Sequence, residues 1–196
     1  QAWPITVVLD QNGVIVSTIY GSTTYDELKE TIDGILDNNT NHNSNLPAEG
    51  GKLGDLCHDV ELPVYGSDHT VSVSDFRGKV TILNFWYIYC GSCVKELQTE
   101  FPQIKEEYGD RVEIVTVHSY EEYDRDIPAF IEESFPGAPF TFCRDIEGEA
   151  YFRMLGGSQA WPITVVLDRN GVIVSTLYGS TTYEELKQII NSIPNG

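Results

Sequence analysis

Cys90 and Cys93, separated by Gly91 and Ser92, are the residues of this chain best suited to chemistry. They follow Val80 to Tyr89, an apolar, aromatic and β-branched run that reads as a buried strand. After them Val94, Leu97 and Phe101 stand at helical spacing. Cys90 therefore sits where a strand gives way to a helix. The free N–H groups and positive dipole end of that helix favour a thiolate over a thiol. A thiolate is the nucleophile of disulfide exchange, and Cys93, one turn further in, is placed to resolve the mixed disulfide. A C-x-x-C at a strand-to-helix junction, in a chain of βαβ character, is a redox signature. Zinc would need two further ligands at similar spacing. The chain offers only Cys57, Cys143 and four His, none of them in a C-x-x-C or H-x-x-x-H pair. Nor is a bridge between residues three apart at a helix start a good structural staple.

The surrounding pattern supplies the elements that must hold this junction. Gly54 to Phe76 reads as two short strands around the turn Tyr65-Gly66-Ser67-Asp68. Val112–His118 is a second parallel strand. Tyr123 to Phe135 is a second helix with Ile127, Phe130 and Ile131 on its apolar face. Ala138–Phe142 is a short segment leading to Cys143, and Glu147–Leu155 a further short helix.

Residues 1–38 and 159–196 are copies of one another. Aligned without gaps at an offset of 158, they differ at ten of 38 positions, mostly conservatively. Each copy reads strand, turn, strand, helix. Ile163 to Leu167 is a β-branched run, Asp168-Arg169-Asn170-Gly171 a hairpin turn, and Val172 to Tyr178 the return strand. Thr181 or Thr182 can cap the helix, with Glu184 and Glu185 in its first turn. Between the first copy and the rest, residues 39–50 form a polar, Asn-rich segment that reads as a flexible linker. The expected organisation is an orphan ββα unit at 1–38, a linker at 39–50 and one domain at 51–196. The orphan is expected to be the tail of a preceding domain or a swapped element. Its unpaired strands and apolar face would favour a homodimer or domain-swapped oligomer.

Thirty acidic against 12 basic residues give a net charge of -18, which argues against nucleic acid and anionic membrane surfaces as partners. No stretch approaches the ~20 apolar residues of a membrane span. Four cysteines, one pair of them in the redox motif, leave Cys57 and Cys143. In an oxidising compartment these two are candidates for a structural disulfide, and otherwise two separate buried thiols. Such a bridge would stabilise the fold by roughly 2–4 kcal/mol.

The order β-α-β-α-β-β-α after an N-terminal hairpin is that of thioredoxin, an α/β fold with a central mixed sheet flanked by helices. Several motifs make the chain resemble the TlpA/ResA-like branch of extracytoplasmic thiol–disulfide oxidoreductases. They are Phe76-Arg77-Gly78-Lys79-Val80, Asn84-Phe85-Trp86 before the cysteines, Glu96 after them, and Trp161-Pro162-Ile163-Thr164. The resemblance covers about residues 51–196. It departs at Tyr89, where Trp is usual, and at Gly91-Ser92, where Pro is usual beside the second cysteine. That pair tunes redox potential in the family.

The resemblance implies roles. Cys90 is the nucleophile and Cys93 the resolving thiol. Pro162 matches a cis-proline packed opposite the cysteines. Trp161, whose backbone is brought beside the disulfide, Tyr89 and Trp86 are the substrate-binding residues. Glu96 is a carboxylate that influences thiol acidity and proton transfer; the plain alternative is a solvated residue on a helix face. The resemblance also implies protein disulfides as substrates, a membrane thiol donor and no cofactor. It places the enzyme in the bacterial cell envelope or outside the cell, with its signal or anchor outside this chain. A rival from another class is a thioredoxin-fold binding or assembly module in a tandem array. The intact set Cys90, Cys93, Pro162 and Glu96 argues against it.

Overall fold

The structure, a computed structural model, describes residues 5–9, 15–20, 23–37, 46–119, 126–156 and 160–194. In chain order the strands are β1 (Ile5–Leu9), β2 (Ile15–Tyr20), β3 (Glu49–Gly50), β4 (Leu56–Cys57), β5 (Glu61–Pro63) and β6 (Thr70–Ser72). They continue as β7 (Val80–Trp86), β8 (Val112–His118), β9 (Thr141–Arg144), β10 (Ile163–Leu167) and β11 (Ile173–Tyr178). The helices are α1 (Tyr25–Asp37), α2 (Gly91–Tyr108), α3 (Ile127–Ser134), α4 (Glu149–Leu155) and α5 (Tyr183–Ser192).

Five strands form the central sheet in the order β11-β10-β7-β8-β9. β7, β8 and β9 run parallel, and β10 and β11 are antiparallel to their neighbours. All seven residues of β7 are buried, as expected of a central strand covered on both faces. Successive side chains point to opposite faces. Ile82 and Trp86 join the core with Leu97, Phe101 and Ile104 of α2 and Leu186 and Ile190 of α5. Leu83 and Phe85 join the other core with Leu62, Val73, Ala150, Met154 and Ile163. The mixed thioredoxin-like sheet between helices matches the fold expected from the sequence. Among the described residues, no helix is long and apolar enough to cross a membrane.

Local chemistry sets the element ends. Asp168 Oδ1 accepts the N–H groups of Asn170 (2.8 Å) and Val172 (2.9 Å), closing the expected turn between β10 and β11. Gly171 takes φ 85 there, which suits glycine. Thr182 caps α5 and exchanges hydrogen bonds with Glu185 as a capping box.

Several boundaries differ from expectation. The strand read over Val80 to Tyr89 stops at Trp86. The linker ends sooner, because Glu49 and Gly50 pair with Leu56 and Cys57. Cys143 lies inside β9 rather than after the strand. The second helix begins at Ile127, and the earlier part of its expected range, residues 120–125, lies outside the described residues. β1 and β2 form a two-stranded sheet of their own, separate from the central one.

Candidate active site

β7 ends at Trp86, and a short turn closed by Cys90 N–H on the Tyr87 carbonyl (3.0 Å) delivers Cys90 to the start of α2. Cys90 is the N-cap of that helix, and its sulfur accepts the Cys93 N–H at 3.2 Å. Ser92 Oγ lies 3.3 Å from the same sulfur. The two cysteines form a disulfide, with Cα atoms 5.2 Å apart. Cys90 is 7% exposed and Cys93 fully enclosed. Cys90 is thus the less enclosed of the two, and its sulfur sits beside the Cys93 N–H and the Ser92 hydroxyl, groups that would stabilise a thiolate.

Glu96, one turn past Cys93 on the same buried face of α2, is 2% exposed. Its carboxylate accepts the Thr181 N–H (2.8 Å) and Asn84 Nδ2 (3.3 Å). Burial pushes its pKa up to about 7, against the opposing pull of those two hydrogen bonds. It is therefore a buried group that titrates near neutrality, not a solvated carboxylate on a helix face. Asn84 also donates to Thr164 Oγ1 (3.0 Å), and its own Oδ1 is buried without a partner among the described residues.

The Trp161–Pro162 peptide bond is cis. Ile163 pairs with Phe85 in the sheet, so Trp161 and Pro162 lie across from the turn that leads to Cys90. Trp161 stacks on Tyr151 (5.1 Å) and meets Tyr87 edge-on (5.5 Å). Tyr89 is 68% exposed beside Cys90. Cys90, Cys93, Glu96, Trp161, Pro162 and Tyr89 are thus gathered at one end of the sheet.

Two expectations are overturned. Trp86 cannot line a substrate surface, because it is wholly buried and ringed by His118, Phe130, Phe135 and Phe142. It faces the core because it shares a strand face with Ile82, while Tyr87 follows in the turn. Cys57 and Cys143 form no bridge: both are free and buried. Cys57 Sγ lies against Met154 Sδ (3.9 Å). Burial pushes both thiols up to about 12, so they behave as small apolar side chains.

Sequence reasoning missed His118. Its Nε2 accepts the Ile88 N–H (3.3 Å), and burial lowers its pKa to about 4, so a neutral imidazole steadies the turn before Cys90. It also missed Tyr87 and Tyr151 as the companions of Trp161. A lone His at a strand end and single Tyr residues in a chain with 11 of them carry no pattern that would single them out. Among the described residues, no cluster of three or more His, Cys, Asp or Glu is grouped to hold a metal ion.

Residues 52–190, well over half of the chain, match the family model described as Redoxin. The chain belongs to the Redoxin family. Relatives include the thioredoxin-like protein YneN of Bacillus subtilis, 29% identical over 142 residues, which cover 71% of this chain and 79% of YneN. The thiol–disulfide oxidoreductase ResA of Geobacillus thermodenitrificans is 30% identical over 131 residues, 65% of this chain and 70% of that one. A solved structure described as a candidate thiol:disulfide interchange protein DsbE of Chlorobium tepidum aligns with a TM-score of 0.61 at 26% identity. It covers 72% of this chain and 97% of that one. This Redoxin-family chain is a ResA-like member of the thioredoxin superfamily and a thiol–disulfide oxidoreductase.

Proposed function

We propose that this protein exchanges dithiol and disulfide through Cys90 and Cys93, and that it reduces disulfides in proteins of the bacterial cell envelope. The observation that carries the reading is the Cys90–Cys93 disulfide at the N-terminus of α2, with buried Glu96 one turn behind it. In the reduced enzyme the Cys90 thiolate attacks one sulfur of a substrate disulfide. A Cys90–substrate bond forms and the other substrate sulfur leaves as a thiolate. Cys93 then loses its proton, with Glu96 as the nearby base, and attacks the Cys90 sulfur. The Cys90–Cys93 bond forms and the second substrate thiolate departs. The substrate has gained two electrons, and a membrane-bound dithiol donor returns them to the enzyme.

Trp161 and Tyr89 are the proposed contacts for the substrate chain beside the disulfide, with Pro162 fixing the Trp161 backbone. The domain is proposed to span residues 51–196 and to act outside the cytoplasm. Residues 1–38 add a second ββα unit, a route to paired or domain-swapped chains. A binding module in a tandem array is the second reading, and what favours it is that residues 1–38 repeat the ββα unit without the half that carries Cys90 and Cys93.

The test is an alkylation and mass titration of the thiols across a glutathione or dithiothreitol redox series. Cys90 and Cys93 should titrate together and reversibly, near the ~-270 mV of thioredoxin or below for a reductant. A value near the ~-120 mV of the oxidant DsbA would reverse the direction. A pair that does not cycle would leave the binding reading. Cys90→Ser should abolish disulfide reduction.

A further inference from the structure

The face that β10, β11 and α5 cover on the Cys90 half of the domain is defined contact by contact. Ile163, Thr164, Val165, Val166 and Leu167 pair with Phe85, Asn84, Leu83, Ile82 and Thr81 of β7. Thr164 takes the Asn84 amide, and Thr181 and Tyr183 give their N–H groups to Glu96 and Glu100 of α2, both at 2.8 Å. Leu186, Ile190 and Ile193 are buried in the core that α2 shares. Gly171 O and Ile173 O receive the N–H groups of Cys57 and Gly54.

Every one of these residues has an identical counterpart in the N-terminal copy. They are Ile5, Thr6, Val7, Val8 and Leu9, then Gly13 and Ile15, Thr23 and Tyr25, and Leu28, Ile32 and Ile35. Three of them stand exposed in the N-terminal copy: Val7, Tyr25 and Ile32. Val7 is 47% exposed where Val165 is 1%, and Ile32 is 39% exposed where Ile190 is 7%. Among the described residues β1 pairs with β2 alone.

We propose that residues 5–37 are a second docking element for the β7–α2 face of their own chain, able to take the place of residues 163–195. One Cys90 half faces two completing units, so the relation is exchange and not addition. The linker permits it. The Pro194 carbonyl accepts from Arg169 (2.8 Å), two residues before Gly171, whose neighbour Cys57 adjoins Leu56, which donates to Ala48 (2.9 Å). The end of the completing unit and the start of the domain therefore lie at one end of the sheet. Residues 38–47 can reach roughly 35 Å when extended. Tethering also makes a same-chain unit far more concentrated at the face than one from a second copy. The exchanged state would present Trp3-Pro4 where Trp161-Pro162 now stands. Three differences favour the C-terminal unit: half-buried Ile189, Asn191 bonded to Tyr108, and Arg169 bonded to Pro194 are Thr31, Asp33 and Gln11 in its rival.

The proposal concerns docking and not redox chemistry, so the test reads structure in the full-length chain: hydrogen exchange at the β7 amides, with mass by light scattering. Leu28→Asp alone should change nothing at β7. Leu186→Asp should leave β7 protected in a monomer, at a protection factor lower by about tenfold, and the double variant should lose at least about a hundredfold. Equal loss in Leu186→Asp and the double variant overturns the proposal. Protection of Leu186→Asp only as a dimer overturns the same-chain assignment. As a second arm, the double variant mixed with excess wild-type chain should regain β7 protection through the wild-type N-terminal unit. No recovery counts against the docking surface even if Leu186→Asp alone simply aggregates.

Discussion

Residues 5–37 and 163–195 carry nearly one sequence into two settings. β1 and β2 pair in the same register as β10 and β11, down to the irregularity between Val8 and Leu9 that recurs between Val166 and Leu167. The helix start is repeated too. Glu27 accepts the Thr24 N–H at 2.8 Å as Glu185 accepts that of Thr182 at 2.9 Å, and the return bond is 3.3 Å in both. What differs is everything at a distance. The Thr181 hydroxyl bonds Glu185 as the Thr23 hydroxyl bonds Glu27, but the Thr181 N–H also reaches Glu96. Lys187 reaches across to Glu107, whereas Lys29 pairs with Asp33 one turn on. α1 runs on to Asp37 with Leu36 in its last turn, while α5 stops at Ser192 before Pro194. Hairpin and cap are thus local properties that survive transplantation, and burial and long-range pairing are not.

The largest test of that difference uses Glu96, the group through which only the C-terminal copy meets a buried charge. Its folded pKa is raised from 4.5 to about 7. Its contribution to stability is therefore full below about pH 4.5 and lost as pH rises through 7. In urea titrations, wild type should lose on the order of 3 kcal/mol relative to Glu96→Gln between pH 4.5 and 8. Parallel curves would mean that Glu96 is not buried as a titrating acid. Next in size, Ile189→Thr makes the C-terminal copy resemble the N-terminal one at a half-buried site. A loss of about 1.5 kcal/mol is expected from the apolar area and the added hydroxyl. No loss would remove one of the three stated reasons for the preference between copies. The smallest effect comes from the caps. Thr182→Ala should cost about 1 kcal/mol of domain stability, and Thr24→Ala should leave the same unfolding transition in place. An equal shift from both would show that the two units share one cooperative fold.

Much of the site was legible because its signal is short-range. Of the run Val80 to Tyr89, the part to Trp86 is a fully buried strand and Tyr89 is exposed, and Cys90 stands at the helix start as the helical spacing requires. The Asn-Gly turn and the Thr182 cap also follow from neighbours within four residues. Trp86 misled because its motif position does not say which face of β7 it takes; that depends on the register against Ile82 and the rings of Phe130, Phe135 and Phe142. Cys57 and Cys143 misled because an even cysteine count carries no geometry. Both thiols are free and buried in one apolar cluster. The role of His118 rests on one hydrogen bond to Ile88 across the gap between two strands, which no local pattern encodes.

By itself the sequence determined the elements, the strand-to-helix cysteine pair, the repeated ββα unit and the family, because each rests on periodicity, turn chemistry or motif over a few residues. Only the tertiary structure decided which copy completes the sheet, that Glu96 lies buried near neutrality, and that Cys57 and Cys143 remain thiols. Burial, dielectric environment and docking are sums over residues far apart in the chain, and the same Thr, Leu and Ile give different sums in different surroundings.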